Sequence, residues 1–267
     1  MAEKDITKVK ANTALSAPDF MHGAPRGTEE LGHYVIPARL KIVQKQSSDE
    51  LLQEFGQGYV IIMKGDGSAE EVAKMKFDEK GNPVSSEGFN FVPLFFFVEY
   101  VCWNPIQLKG VAPAIRSRSL DPRSEVALKA KSVENRTAPH PDGKGDITYS
   151  EHLNFVVLVD GQTEPAIITF ARGTHKHGRA LCNLIKMRKA PIYGCRIHAN
   201  LTLESNELGS WWAYDCENPD NPWVDAETEF RSFQEIHKEY AEFFADAKIR
   251  VDYGEGESSE EETTNEF

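Results

Sequence analysis

Residues Thr148–Leu203 read TYSEHLNFVVLVDGQTEPAIITFARGTHKHGRALCNLIKMRKAPIYGCRIHANLTL, and this stretch decides the fold. Thr148–Asp160 is dense in Val, Leu and Phe and reads as a strand. Gly161 begins a turn and Pro165–Arg172 returns, which predicts a hairpin. Thr174 can cap a helix running to about Lys189. Ile192–Leu203 reads as a further strand, with Gly209–Cys216 pairing beside it. One helix between late strands, without βαβ alternation, predicts a mainly β fold and a small barrel rather than a parallel sheet. The specific expectation is an elaborated OB-fold: a five-stranded Greek-key barrel with a capping helix between its third and fourth strands.

Upstream, Tyr34–Gln44 and Gly58–Lys64 read as strands, and Gly65-Asp66-Gly67 and Gly81-Asn82-Pro83 as turns. Phe89–Trp103 is a long, strongly apolar strand. Asn104–Ile147 is broken by Pro105, Pro113, Pro122, Pro139 and Pro141 and holds eight basic and five acidic residues. It reads as a long inserted loop with one short helix, capped by Asp121 with Pro122 in the first turn. Downstream, Glu227–Lys248 is a second amphipathic helix, with Phe230, Phe233, Ile236, Tyr240, Phe243 and Phe244 on one side. Residues 1–30 form a loose polar arm, 31–249 the folded domain, and 250–267 a tail too polar to fold.

The charge is unevenly spread. The 267 residues carry a formal −12, and Asp252–Phe267 holds seven acids and no base, leaving −5 for the rest. Against that, Pro165–Leu203 holds seven bases (Arg172, Lys176, Arg179, Lys186, Arg188, Lys189, Arg196) and no acid. On a helical wheel Ala180, Leu181, Leu184 and Ile185 share one half of the basic helix, and Lys176, Arg179, Asn183, Lys186 and Lys189 the other. Most charged helix faces only keep a protein in solution, but those mix signs; a single-sign field holds polyanions close. Aromatic residues flank the basic stretch: Tyr193 lies inside it, Trp211, Trp212 and Tyr214 follow, and Tyr100 and Trp103 end the long strand. Cations along phosphates plus flat rings for bases are what single-strand binding needs. Trp211 and Trp212, being adjacent on a strand, point to opposite faces, so one is expected in the core and the other more exposed.

At this point the chain resembles phage single-stranded DNA-binding proteins. The resemblance lies in Asn154–Asn183 and Ile192–Tyr214, where a hydrophobic hairpin leads into Thr169, Phe170, Arg172, Thr174 and Lys176-His177-Gly178-Arg179. A fainter echo stands at Ile36-Pro37-Ala38-Arg39-Leu40. The acidic tail closed by an aromatic, with Glu260, Glu261, Glu262, Glu266 and Phe267, also resembles the tails with which replicative single-strand binders dock on other replication proteins.

The resemblance implies non-specific single-stranded DNA binding in phage replication or recombination. Phosphates would meet Arg172, Lys176, Arg179, Lys186, Lys189 and Arg196. Bases would stack on Tyr193, Trp211, Trp212, Tyr214, Tyr100 or Trp103. The long loop, with Arg116, Arg118, Arg123, Lys129 and Lys131, would clamp the strand. Replication or recombination proteins would be the tail's partners, and a homodimer is open. A strand-annealing accessory protein, or a protein-only virion or assembly adaptor, are the alternatives.

Other chemistry has little footing. His175, His177, Cys182, Cys195 and His198 include metal-ligand types, but the histidine pair is splayed at a helix start and no CxxC accompanies it. No metal or other cofactor is expected. No GxSxG, HExxH or phosphate-binding loop is present, so no catalytic residue is assigned and no enzyme is expected. The four scattered cysteines suit a reducing compartment. No apolar leader or membrane span is legible, because Phe91–Trp103 is interrupted by Pro93 and Glu99. The expected location is the cytoplasm of a bacterial host, without secretion or membrane contact.

Overall fold

The computed structural model describes residues 37–45, 47–105, 115–143, 145–207, 209–245 and 251. The N-terminal arm, the first residues of the strand expected from Tyr34, and the tail with Glu260, Glu261, Glu262, Glu266 and Phe267 lie outside them.

In chain order the described elements are β1 (Ala38–Ile42), α1 (Asp49–Glu54), β2 (Tyr59–Met63), β3 (Ala69–Phe77), β4 (Pro83–Ser86), β5 (Phe89–Trp103), β6 (Ile115–Ser119), α2 (Glu125–Lys131), β7 (Thr137–Pro139), β8 (Asp146–Val159), β9 (Ala166–Ala171), α3 (His175–Met187), β10 (Ile197–Asn206), β11 (Gly209–Glu217) and α4 (Glu227–Ala245). One sheet contains them in the order β11-β10-β5-β8-β9-β1-β2-β3-β4, with β6 on β5 and β7 on β8. The fold is mainly β, as expected, but the sheet has eleven strands rather than five. The two glycine-containing turns join β2 to β3 and β3 to β4, whose weakly apolar sequences gave little strand signal.

The sheet curls into a half-barrel, and side chains from its two halves meet across it. The Gln44 amide accepts from the Trp212 N–H at 2.8 Å and donates to the Trp212 carbonyl at 2.9 Å. Ser86 Oγ accepts from the Leu201 N–H at 3.1 Å. Phe77 stands edge-on to Trp212 at 6.0 Å.

β5 and β8 form the spine, antiparallel from Phe91↔Val159 to Trp103↔Thr148, with an irregularity between Pro93 and Phe95. Pro93 has no N–H to give a ladder, so an irregularity is where a strand tolerates it. The extra residue reverses the alternation. Before it Phe89 and Phe91 face the inner core; after it Phe96 does, while Val92, Leu94 and Phe97 face outward. Both faces are covered, which is why β5 reads as an almost unbroken apolar run.

Inside, α3 seats Leu181 among Phe91, Leu153, Phe155, Phe170 and Trp212, with Leu184 and Ile185 beside it. Burying Leu181 contributes about 1.5–3 kcal/mol. Outside, α4 lays Phe233, Ile236, Tyr240, Phe243 and Phe244 over Val92, Leu94, Phe97 and Val156. The long insert folds back on the far end of the spine, where Ala127 and Ala130 of α2 pack on Tyr100, Cys102, Ile147 and Tyr149. Its helix starts later than expected: Ser124 caps it, accepting from the Ala127 N–H at 3.2 Å, while Asp121 and Pro122 lie in the preceding turn.

Candidate nucleic-acid interface

The basic helix is set by the turn before it. Arg172 adopts φ +49, a left-handed conformation unusual for a residue with a Cβ. Its guanidinium lies 5.7 Å from the Trp103 ring and donates to Thr148 Oγ1 at 3.1 Å. The Thr174 hydroxyl accepts from the Ala171 N–H at 3.0 Å and donates to the Ala171 carbonyl at 2.9 Å. Thr174 does occupy the N-cap position, but its side chain closes the turn and caps no helical N–H.

The first turn of α3 then presents three basic side chains at the positive end of the helix dipole, with no acid of its own. Acids from three strands compensate. His175 meets Glu151 of β8 at 3.0 Å. Glu204 of β10 takes Lys176 Nζ at 2.6 Å on one oxygen and His177 Nε2 at 2.9 Å on the other, and Asp215 of β11 lies 3.7 Å from His177 Nδ1. The Lys176 and His177 hydrogen bonds hold the Glu204 carboxyl below its ordinary range. Burial pushes the His175 imidazole down, with Glu151 pulling the other way. The acid-free stretch ended at Leu203, one residue short of the carboxylate that folds back onto its cations. Only the strand register brings Glu204 there.

Further along, Arg179, Lys186 and Lys189 are exposed and make no ion pair among the described residues. Lys189, at φ +54, ends the helix. Arg188 turns away to donate to the Arg196 and Pro222 carbonyls at 2.8 and 2.9 Å and to Asn218 Oδ1. It also lies over the ring of Trp223, a 42% exposed residue that the sequence did not single out. Arg196, expected on phosphates, is paired with Asp160 at 2.6 Å and reaches Glu229 at 4.0 Å.

The aromatic residues divide sharply. Trp212, Tyr214, Tyr100 and Trp103 are buried and present no open ring face. The apolar area of a large ring is worth more inside a core than on its surface. Tyr193 packs between Phe230 and His237 of α4, at 5.1 and 5.0 Å. Trp211, half-buried, is the exposed member of the tryptophan pair. It walls a cleft of about 400 Å³ with residues 171–174, Asn206, Gly209 and Ser210. Gly173 lies so close that a Cβ there would stand 2.7 Å from Trp211 Cζ2. The Trp211 indole N–H is buried without an acceptor among the described residues.

The insert's cations are largely engaged. Arg116 meets His140 at 3.1 Å. Arg118 donates to the Val251 carbonyl at 2.9 Å and lies 3.7 Å from Glu99. Lys131 sits over Tyr100 at 4.8 Å. A polar seam runs along the outer face of the spine below Arg172. Trp103 Nε1 donates to Ser150 Oγ at 2.8 Å, and Ser150 Oγ is hydrogen-bonded in turn to His152 Nε2, also at 2.8 Å. Burial, reinforced by Arg172, Arg39 and Arg118, pushes the His152 imidazole down to about 3, so the ring is neutral.

The residues weighed as metal ligands are dispersed: His198 bonds Asn90, and Cys195 is buried in a turn bridged to Trp223. No group of three His, Cys, Asp or Glu that could hold a metal ion occurs among the described residues. No described helix is long and apolar enough to cross a membrane.

Residues 9–242 match the model of the family described as Pam3 phage gp34-like protein. No curated protein and no solved structure matches the chain.

Proposed function

The chain belongs to the Pam3 phage gp34-like protein family, and from that premise we propose that it binds single-stranded DNA without sequence preference during phage DNA replication or recombination. The observation that carries this reading is the outer face of α3. Arg179 and Lys186 there, and Lys189 just past the helix end, stand exposed without an acidic partner among the described residues, and the Trp211 cleft opens beside the helix start. Unpaired cations bind a phosphate backbone, and a flat ring takes bases of any identity.

The OB-fold reading goes with this one. A curled, mostly antiparallel sheet with a helix sealed into its inner core supports it. On the same reading the acidic residues 252–267 recruit replication or recombination proteins in the host cytoplasm, and the chain performs no catalysis of its own.

The test is fluorescence anisotropy of a labelled oligo(dT) over a salt series, with a duplex control and the Arg179→Ala/Lys186→Ala variant. Tight, salt-sensitive binding to the single strand and weak binding to duplex are expected. The variant's log–log salt slope should fall by about 0.7 for each lost phosphate contact. Absence of binding at low salt would refute the reading and direct attention to an acidic protein partner. An unchanged slope would remove α3 from the interface.

A further inference from the structure

We propose that one nucleotide unit of the single strand is held at the start of α3, its base against Trp211 and its phosphate in the place taken by the Glu204 carboxylate. This rests on the single-strand reading above and specifies its site.

Glu204 and Trp211 are directly opposite in the β10–β11 ladder. Opposed side chains leave the same face of a sheet with their Cβ atoms about 5 Å apart. A base-sized wall and an anion position are therefore neighbours. The anion position is already built. Two carboxylate oxygens take an ammonium at 2.6 Å and an imidazole at 2.9 Å, at the first turn of a thirteen-residue helix. An oxyanion of a phosphate diester is satisfied by the same donors and by the same helix end. The Lys176 side chain is 62% exposed, so its pair with Glu204 is weak and exchangeable.

The base position is the cleft. Its volume of about 400 Å³ suits a small organic group, and small residues, among them Gly173, Gly209 and Ser210, leave the indole as its main wall.

One base is held here rather than a row of them. The other expected stacking rings are in the core or under α4. The remaining affinity comes from phosphates. Glu204 acts as an internal competitor that lowers it.

The experiment uses the full chain and three labelled twelve-residue strands: oligo(dT), a fully abasic strand, and an abasic strand with a single central thymidine. The single-thymidine strand should bind nearly as well as oligo(dT) and about ten-fold tighter than the abasic strand. Trp211→Ala should erase that difference, and Trp211→Phe should keep it. Glu204→Gln should tighten binding and steepen the salt slope by about 0.7, one added phosphate contact. Glu207→Gln, removing an exposed acid nearby, should leave the slope unchanged.

Affinity that climbs with every added base would overturn the one-base site, as would a Trp211→Ala variant that still distinguishes thymidine from abasic. A Glu204→Gln slope equal to wild type would overturn the phosphate exchange. With oligo(dT) binding intact, these failures leave the single-strand reading standing. Wild-type protein that does not bind oligo(dT) at low salt loses both.

Discussion

Replacing Gly178 by Ala adds one methyl group between α3 and the sheet. That methyl would lie 2.6 Å from Cβ and 2.9 Å from Cγ of Phe170, and 3.0 Å from Cδ1 of Leu153. Carbon atoms in van der Waals contact stand about 3.5–4.0 Å apart. Phe170 cannot retreat: it is fully buried and set edge-on to Phe155 at 5.9 Å, with Tyr214 at 6.1 Å on another side.

Two terms oppose each other. Alanine in a helix interior is favoured over glycine by about 1 kcal/mol. Overpacking a filled core costs about 1–3 kcal/mol. A clash with a Cβ atom, which no rotamer change can move, belongs at the upper end, so a net loss of about 2 kcal/mol is expected. In urea, at a slope near 2 kcal/mol per molar, this is a midpoint about 1 M lower with an unchanged slope. A variant as stable as wild type, or more stable, would show that propensity wins and that α3 is not seated this closely on Phe170.

Acid should destabilise the protein through His152. The unfolded imidazole takes a proton near its ordinary 6.5, while the folded one is held down at about 3, so the unfolded state binds more protons in between. Stability should therefore fall as pH drops from 6.5 towards 3, by up to about 1.4 kcal/mol per unit. His152→Gln should flatten that limb in pH-dependent denaturation, and an unaltered limb would acquit His152. Between the adjacent tryptophans, Trp212→Ala should cost about 3–5 kcal/mol by chemical denaturation and Trp211→Ala much less. Equal losses would contradict the core and cleft assignments.

Much of the architecture is legible in the amino-acid order because local patterns and tertiary outcome agree. Phe89–Trp103 is β5 to the residue. The expected hairpin is β8 paired with β9. The basic helix spans His175–Met187 and inserts Leu181 into the core, as its wheel predicts. β3 and β4 escaped notice because one side of each is wet, and a strand such as AEEVAKMKF gains its apolar contacts only from neighbours across the sheet. Residue type alone likewise could not place Ser124 rather than Asp121 as the cap of α2.

What the sequence by itself determined is periodicity and charge: a β protein with one cationic helix and an acidic terminal segment. Both follow from residue types and their spacing along the chain. Tertiary structure decided which of those charges and rings remain available. Tyr193, Trp212, Tyr214 and Tyr100 were drawn into apolar layers, and Trp103 was buried in the polar seam under Arg172. Arg196 and Arg118 were drawn to carboxylates far away in sequence. Glu204 reaches Lys176 and His177 across twenty-eight and twenty-seven positions through the register of β10. A linear count weighs charges by proximity along the chain, whereas electrostatic energy falls with distance in space, and only folding sets that distance.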